Sequence, residues 1–192
     1  MIWANEETAR RQYGENVPFA EHPRIRSAEA CYASSSMATE IARRHDALLH
    51  VLHLTTEKEM MLFSSARRAD KRITAEVCVH FLHFDSNDYP THVNPIKSSP
   101  AIKPPADRAA LLQALKDGRL DIIATDHAPH TAEEKAATDY RKAPSGLPLV
   151  QDALLSVLEL HHDGEIDLEQ IVRLTAHNVA DRFRVVDRGY LR

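Results

Sequence analysis

Cysteine is scarce in this chain: Cys31 and Cys78 are the only two among 192 residues. Two thiols make no disulfide framework, so both are expected to be reduced and buried in a cytoplasmic protein. An excess of positive charge is missing as well. The net charge is −4, so no basic field points to nucleic acid or to an anionic membrane. No apolar run approaches the ~20 residues of a membrane span. The N-terminus, Met1 to Glu7, has neither the basic nor the apolar stretch of a signal peptide. No internal repeat, low-complexity tract or linker divides the chain. What is present is ordinary for a globular domain, 43% hydrophobic and 27% charged. A single domain of this length can bury roughly 70% of its unfolded surface. Histidine is the unusual residue, with 12 copies.

Helical and strand-like segments alternate. Trp3 to Tyr13 reads as a helix ending near Gly14, and Asn16 to Arg26 as a loop. Ser27 is a plausible N-cap for a helix to about His45, with Ala28, Cys31, Tyr32, Ser35, Ala38 and Ile41 or Ala42 on one face. Leu48 to Leu54 is too short for a helix and reads as a strand. Thr56 and Glu59 suggest a capping box for a helix to about Ala69. Ile73 to His80 is a second strand. Phe81 to Pro105 is a proline-punctuated segment with room for one short strand. Asp107 is read as the cap of a helix ending at Gly118. Ile122 to Thr125 is a further strand, Asp126 to Pro148 a polar loop, and Leu149 to His161 an amphipathic helix. Asp167 and Gln170 form another capping box, and Asn178 is a candidate cap for a last short helix.

Strands alternating with helices imply a parallel sheet. In such folds the sites lie at the carboxyl ends of the strands. The three clearest strands each end in a possible metal ligand: His53, His80 and Asp126. The run Ala124-Thr125-Asp126-His127-Ala128-Pro129-His130 is the most informative. It follows a short apolar strand and turns at a proline, which delivers a carboxylate to the mouth of a barrel.

Three segments occur in order: His50 to Thr56, Glu76 to His80 and Ala124 to His130. Together they resemble signatures of the class I dihydroorotases of the amidohydrolase superfamily. The likeness extends from Tyr13-Gly14-Glu15-Asn16-Val17-Pro18 and Ile25-Arg26-Ser27-Ala28-Glu29-Ala30 to Arg188-Gly189-Tyr190. It implies an α/β fold, a (β/α)8 TIM barrel with one or two zinc ions at the strand ends. In this chain it implies part of that barrel, strands five to eight with their helices, as a single incomplete domain over residues 1–192.

By the same resemblance His53 ends strand five and His80 strand six, and both ligate metal. Asp126 ends strand eight, touches the metal and serves as general base. Neutral imidazole and carboxylate are donors that suit zinc. Substrate contacts are implied at His130, which would help hold a carboxylate, and at Ser145 and Gly146, whose backbone would meet a pyrimidine ring. Ser99 stands where the family usually has asparagine, and Phe81 where it usually has a second histidine.

The family's opening His-x-His pair and its lysine or aspartate on strand four have no counterpart in these residues. The chain is therefore expected to begin after strand four and to stop before a small β domain. A whole barrel is typically ~250 residues. Half a barrel leaves two open sheet edges, so packing against a second copy or a complementary half-barrel is expected. Three functions stay open. The first is dihydroorotase, the zinc-dependent reversible cyclisation of N-carbamoyl-L-aspartate to dihydroorotate in pyrimidine biosynthesis. The second is another cyclic amidohydrolase of hydantoinase or allantoinase type. The third is a non-catalytic truncated homologue acting through assembly.

Overall fold

In the computed structural model of the chain, which describes residues 1–191, three parallel strands carry the core. They are β1 (Leu49–Val51), β2 (Ile73–Cys78) and β3 (Ile122–Ala124), in that order across the sheet. β1 pairs with β2 from Leu49↔Ile73 to Val51↔Ala75, and β2 with β3 from Glu76↔Ile122 to Cys78↔Ala124. β2 is covered on both faces, as its apolar composition demands, and Ala75, Val77 and Cys78 are wholly buried. Four strands were expected and three are found. The segment from Asn94 to Pro104 supplies a 3-10 turn over Asn94–Ile96 and buried coil, while β2 bonds directly to β3.

The helices are α1 (Ile2–Tyr13), α2 (His22–Ile25), α3 (Ala28–Arg44), α4 (Glu57–Met60), α5 (Val79–His83), α6 (Tyr89–His92), α7 (Pro105–Lys116), α8 (Ala132–Lys135), α9 (Ala153–His162), α10 (Leu168–Val172) and α11 (Asn178–Phe183). A π-helical turn, Arg173–His177, links the last two. Local signals set several starts. Ser27 Oγ accepts from the Ala30 amide and opens α3, and Asp167 with Gln170 closes a full capping box on α10. On α3, Ala42 is buried and Ile41 is exposed.

Five expectations are corrected, the first being the stretch Asn16 to Arg26, expected as a loop, which contains a 3-10 turn over Phe19–Glu21 and α2. α4 stops at Met60 rather than running to Ala69. Ser64 Oγ takes the Ala66 amide at 3.1 Å, which offers that backbone an alternative to a helix. The cap of α7 is Pro104, not Asp107, whose carboxylate instead accepts from the Glu57 amide at 2.8 Å. Asn178 lies inside the helical run, and its Nδ2 donates to the Asp121 carbonyl at 2.7 Å. The stretch read as a loop after Asp126 contains α8, opened by a Thr131–Glu134 capping box.

The end of the sheet away from the strand carboxyl termini is locked by a buried ion pair. Lys71 Nζ donates to Asp121 Oδ1 at 2.8 Å, and the Ala75 amide donates to Asp121 Oδ2 at 3.0 Å. Burial raises the Asp121 pKa, while Lys71 works against that rise. Both cysteines are free thiols, Cys78 buried and Cys31 only half-buried. No described helix is long and apolar enough to cross a membrane.

Candidate functional site at the strand ends

Each of the three candidate ligands sits two residues beyond its strand, not at its last residue. β1 ends at Val51, β2 at Cys78 and β3 at Ala124. His53 and Asp126 turn the chain with positive φ, +41° and +47°. Such values are uncommon for residues bearing a Cβ and mark a backbone held by its surroundings. His80 lies instead in the first turn of α5, the helix that follows β2 without a loop.

His80 is 2% exposed, and neither ring nitrogen has a hydrogen-bond partner. Its ring lies 3.9 Å from that of Phe81, which is itself in the core. Burial holds the His80 pKa down at about 3, and neighbouring His53 adds to the lowering. Asp126 is exposed, and with Glu76 it acts on Cys78, whose thiol is pushed up chiefly by burial.

The implied substrate segments converge through their backbones. The Ala128 amide donates to the Leu147 carbonyl at 3.0 Å, and the Gly146 amide donates to the Lys97 carbonyl at 2.9 Å. His130 Nε2 lies 3.2 Å from the Ser145 carbonyl, so that nitrogen carries a proton and donates, while Nδ1 lies 3.5 Å from Glu134 Oε2. Gly146 is required here: at φ +138° a Cβ would stand 2.6 Å from the Ala128 Cβ and would also run into the Ala128 carbonyl oxygen. Two lysines staple the same loops. Lys97 Nζ donates to the Tyr140 and Ala143 carbonyls, both at 2.6 Å, and Lys135 Nζ to those of Asn94, Lys97 and Pro144. Burial lowers both lysine pKa values to about 8.

Open space at this end of the sheet is divided. A cavity of about 470 Å³ runs beside β1 and is lined by His53 and Ser99, with Arg26, Cys31 and Glu59. His80 faces a separate cavity of about 320 Å³, alongside His92 and Leu147. Ser99 Oγ is buried without a partner.

Two imidazoles and a carboxylate are the donor types zinc takes, and the unpartnered nitrogens of His80 leave that ring free to ligate. The residues fit a metal in kind. They do not make a complete centre, since no group of three donors among the described residues could hold an ion. Sequence reasoning missed two residues. Glu76, a lone acid in an apolar strand, and His50, on β1, are hydrogen-bonded to each other at this end of the sheet. Both lay inside the quoted motifs, and the lone acid in a run without other charges was the available signal.

No family model matches the chain. Among curated proteins, dihydroorotases from Bacillus cereus (strain B4264) and Bacillus thuringiensis (strain Al Hakam) are each 38% identical over 144 residues. That alignment covers 74% of this chain and 33% of the relative, so the chain spans about a third of the length of the relatives it matches. Among solved structures, the L-hydantoinase (dihydropyrimidinase) from Arthrobacter aurescens superposes with a TM-score of 0.91 at 20% identity, covering 100% of this chain and 43% of that one. The dihydroorotase from Saccharomyces cerevisiae gives 0.71 at 18% identity, over 81% of this chain and 43% of that one. At such identities these likenesses speak for the fold. On its sequence kinship, the chain belongs to the dihydroorotase family of cyclic amide hydrolases.

Proposed function

We propose that this chain carries part of the active site of a dihydroorotase, which catalyses the reversible cyclisation of N-carbamoyl-L-aspartate to dihydroorotate. The observation that carries the reading is the placement of His53, His80 and Asp126 at equivalent positions, two residues past three adjacent parallel strands. His53, His80 and Asp126 would each contribute a donor to a zinc site that they do not complete by themselves. When bound, zinc acidifies a water to a pKa of about 7 and so supplies hydroxide at neutral pH. The remaining donors would come from a second copy or a complementary half-barrel, because these residues alone do not form a group of three.

Asp126 is exposed and itself sits at the bend of the chain, which leaves its carboxylate accessible as general base. In ring opening it takes a proton from the attacking water and returns one to the ring nitrogen as the amide C–N bond breaks. Cyclisation runs the same transfers in reverse, with water leaving. The loop stapled by Lys97 and Lys135 presents His130, Ser145 and Gly146 to the substrate. His130 would pair with a carboxylate, and the backbone at Ser145 and Gly146 with the ring amides.

One observation favours a second reading. Ser99 offers a buried, unpartnered hydroxyl where an asparagine amide is usual in the family, which suits a hydantoinase-like enzyme with a different ring. A substrate panel decides between them. With zinc added, the purified chain should open dihydroorotate in preference to hydantoin and dihydrouracil. Preference for hydantoin would sink the dihydroorotase reading and leave the second.

A further inference from the structure

One acidic residue reaches the backbone on both sides of the turn at His53. Glu76 grips the end of β1 with three acceptors. Its main-chain carbonyl takes the Leu54 amide at 2.9 Å, and its Oε1 takes the His53 amide at 3.4 Å. Its Oε2 lies 2.9 Å from His50 Nε2. Residue 53 has φ +41°, a conformation that a Cβ-bearing residue rarely adopts and that persists only when neighbours impose it.

The carboxylate is itself held. A carboxylate only accepts, so His50 Nε2 carries the proton in that contact. The other nitrogen, His50 Nδ1, is 2.8 Å from Thr74 Oγ1. The side chains of His50 and Glu76 are only 6% and 12% exposed, so water competes little for these bonds. The His50 ring is also pinned edge-on against Phe183, with centroids 5.4 Å apart. The chain of contacts thus runs from Phe183 and Thr74 through His50 to Glu76, and from Glu76 to the backbone of residues 53 and 54.

We infer that Glu76, locked by His50, is a positioning residue that fixes the turn at His53 and with it the direction of the imidazole proposed to ligate metal. Glu76 touches neither substrate nor metal in this account; it acts through His53. The inference rests on the proposed role of His53, but it makes a claim of its own about the conformation of that residue without metal.

The test is Glu76→Gln in the full chain, followed by two readouts. The first is the NMR spectrum of the His53 ring in metal-free protein, assigned with His53→Gln. The second is zinc affinity by competition with a chromophoric chelator. A second variant, His50→Gln, keeps the carboxylate and removes its lock, and decides the matter if Glu76→Gln does not fold. The expected result is a His53 ring shifted and averaged over rotamers, with zinc binding weakened by about tenfold and the thermal transition still cooperative. A His53 ring unchanged in the folded variant, with wild-type zinc affinity, would overturn the inference. Should the wild type bind no zinc while the ring still moves in the variants, positioning by Glu76 stands and the metal role of His53 fails.

Discussion

Replacing Gly146 by alanine should unseat the loop that joins the three implied substrate segments. At φ +138° the new Cβ meets the Ala128 Cβ at 2.6 Å and collides with the Ala128 carbonyl oxygen. Both obstacles belong to backbone or to a side chain with no rotamer to change, so one chain must move. Backbone strain at such a φ costs about 1–3 kcal/mol, and forced repacking typically costs a further 1–3 kcal/mol. The sum, about 4 kcal/mol, is a large part of a typical domain stability of 5–15 kcal/mol. Gly164→Ala is the control, because Gly164 has a similar sign of φ, +74°, and nothing within 4 Å of the position a Cβ would take. It should lose only the αL penalty of about 1–2 kcal/mol. Urea denaturation of both variants reads the difference, and hydrogen exchange at the Ala128 amide, bonded to Leu147, reads where it falls. If Gly146→Ala loses no more stability than Gly164→Ala, the close approach of residues 128 and 146 is not what holds the loop.

Two other perturbations follow from buried polar groups. His22 is fully buried between the Tyr140 hydroxyl, at 2.7 Å, and the Ser98 carbonyl, at 2.5 Å, and burial lowers its pKa from 6.5 to about 3. The unfolded chain therefore binds a proton that the folded one refuses. The stability linked to the neutral ring is whole above pH 6.5 and drains as pH falls toward 3. His22→Phe should be less stable at pH 7, yet lose less between pH 6.5 and 4, as read from urea midpoints across that range; equal losses in variant and wild type would count against the assignment. Lys71→Met should cost about 3–5 kcal/mol by stranding the Asp121 carboxylate, whose side chain is 3% exposed. Adding Asp121→Asn should restore part of the loss in calorimetry, and a double variant no better than the single one would argue that the pair is not coupled.

Local chemistry was the part of the fold that could be read from residues. Ser27 and the Asp167–Gln170 pair satisfy amides three residues on, so their helices start where the sequence says. The apolar run of β2 is buried as its composition requires. What failed was decided at a distance. Asp107 has the chemistry of a cap, but its partner is the Glu57 amide on another element. Thr56 does cap α4 by accepting from the Glu59 amide, but the Glu59 carboxylate does not complete the box: it bonds Ser35 on α3 at 2.5 Å and the Thr56 hydroxyl at 2.8 Å. The candidate site divides the same way. The Asp126 to His130 run is contiguous and so was legible as a motif. The hold of Glu76 on residue 53 spans β1 and β2, and no periodicity reveals it. Nor could sequence show that His53 and His80 face different cavities.

The most direct measurement is dihydroorotate ring opening by the purified chain with added zinc, followed over a range of protein concentrations beside Asp126→Ala. Turnover should rise more steeply than protein concentration, as assembly completes the site, and should disappear in Asp126→Ala. Turnover that survives in Asp126→Ala, or none at any concentration with zinc bound, would contradict the claim that these strand ends carry the catalytic carboxylate of a dihydroorotase.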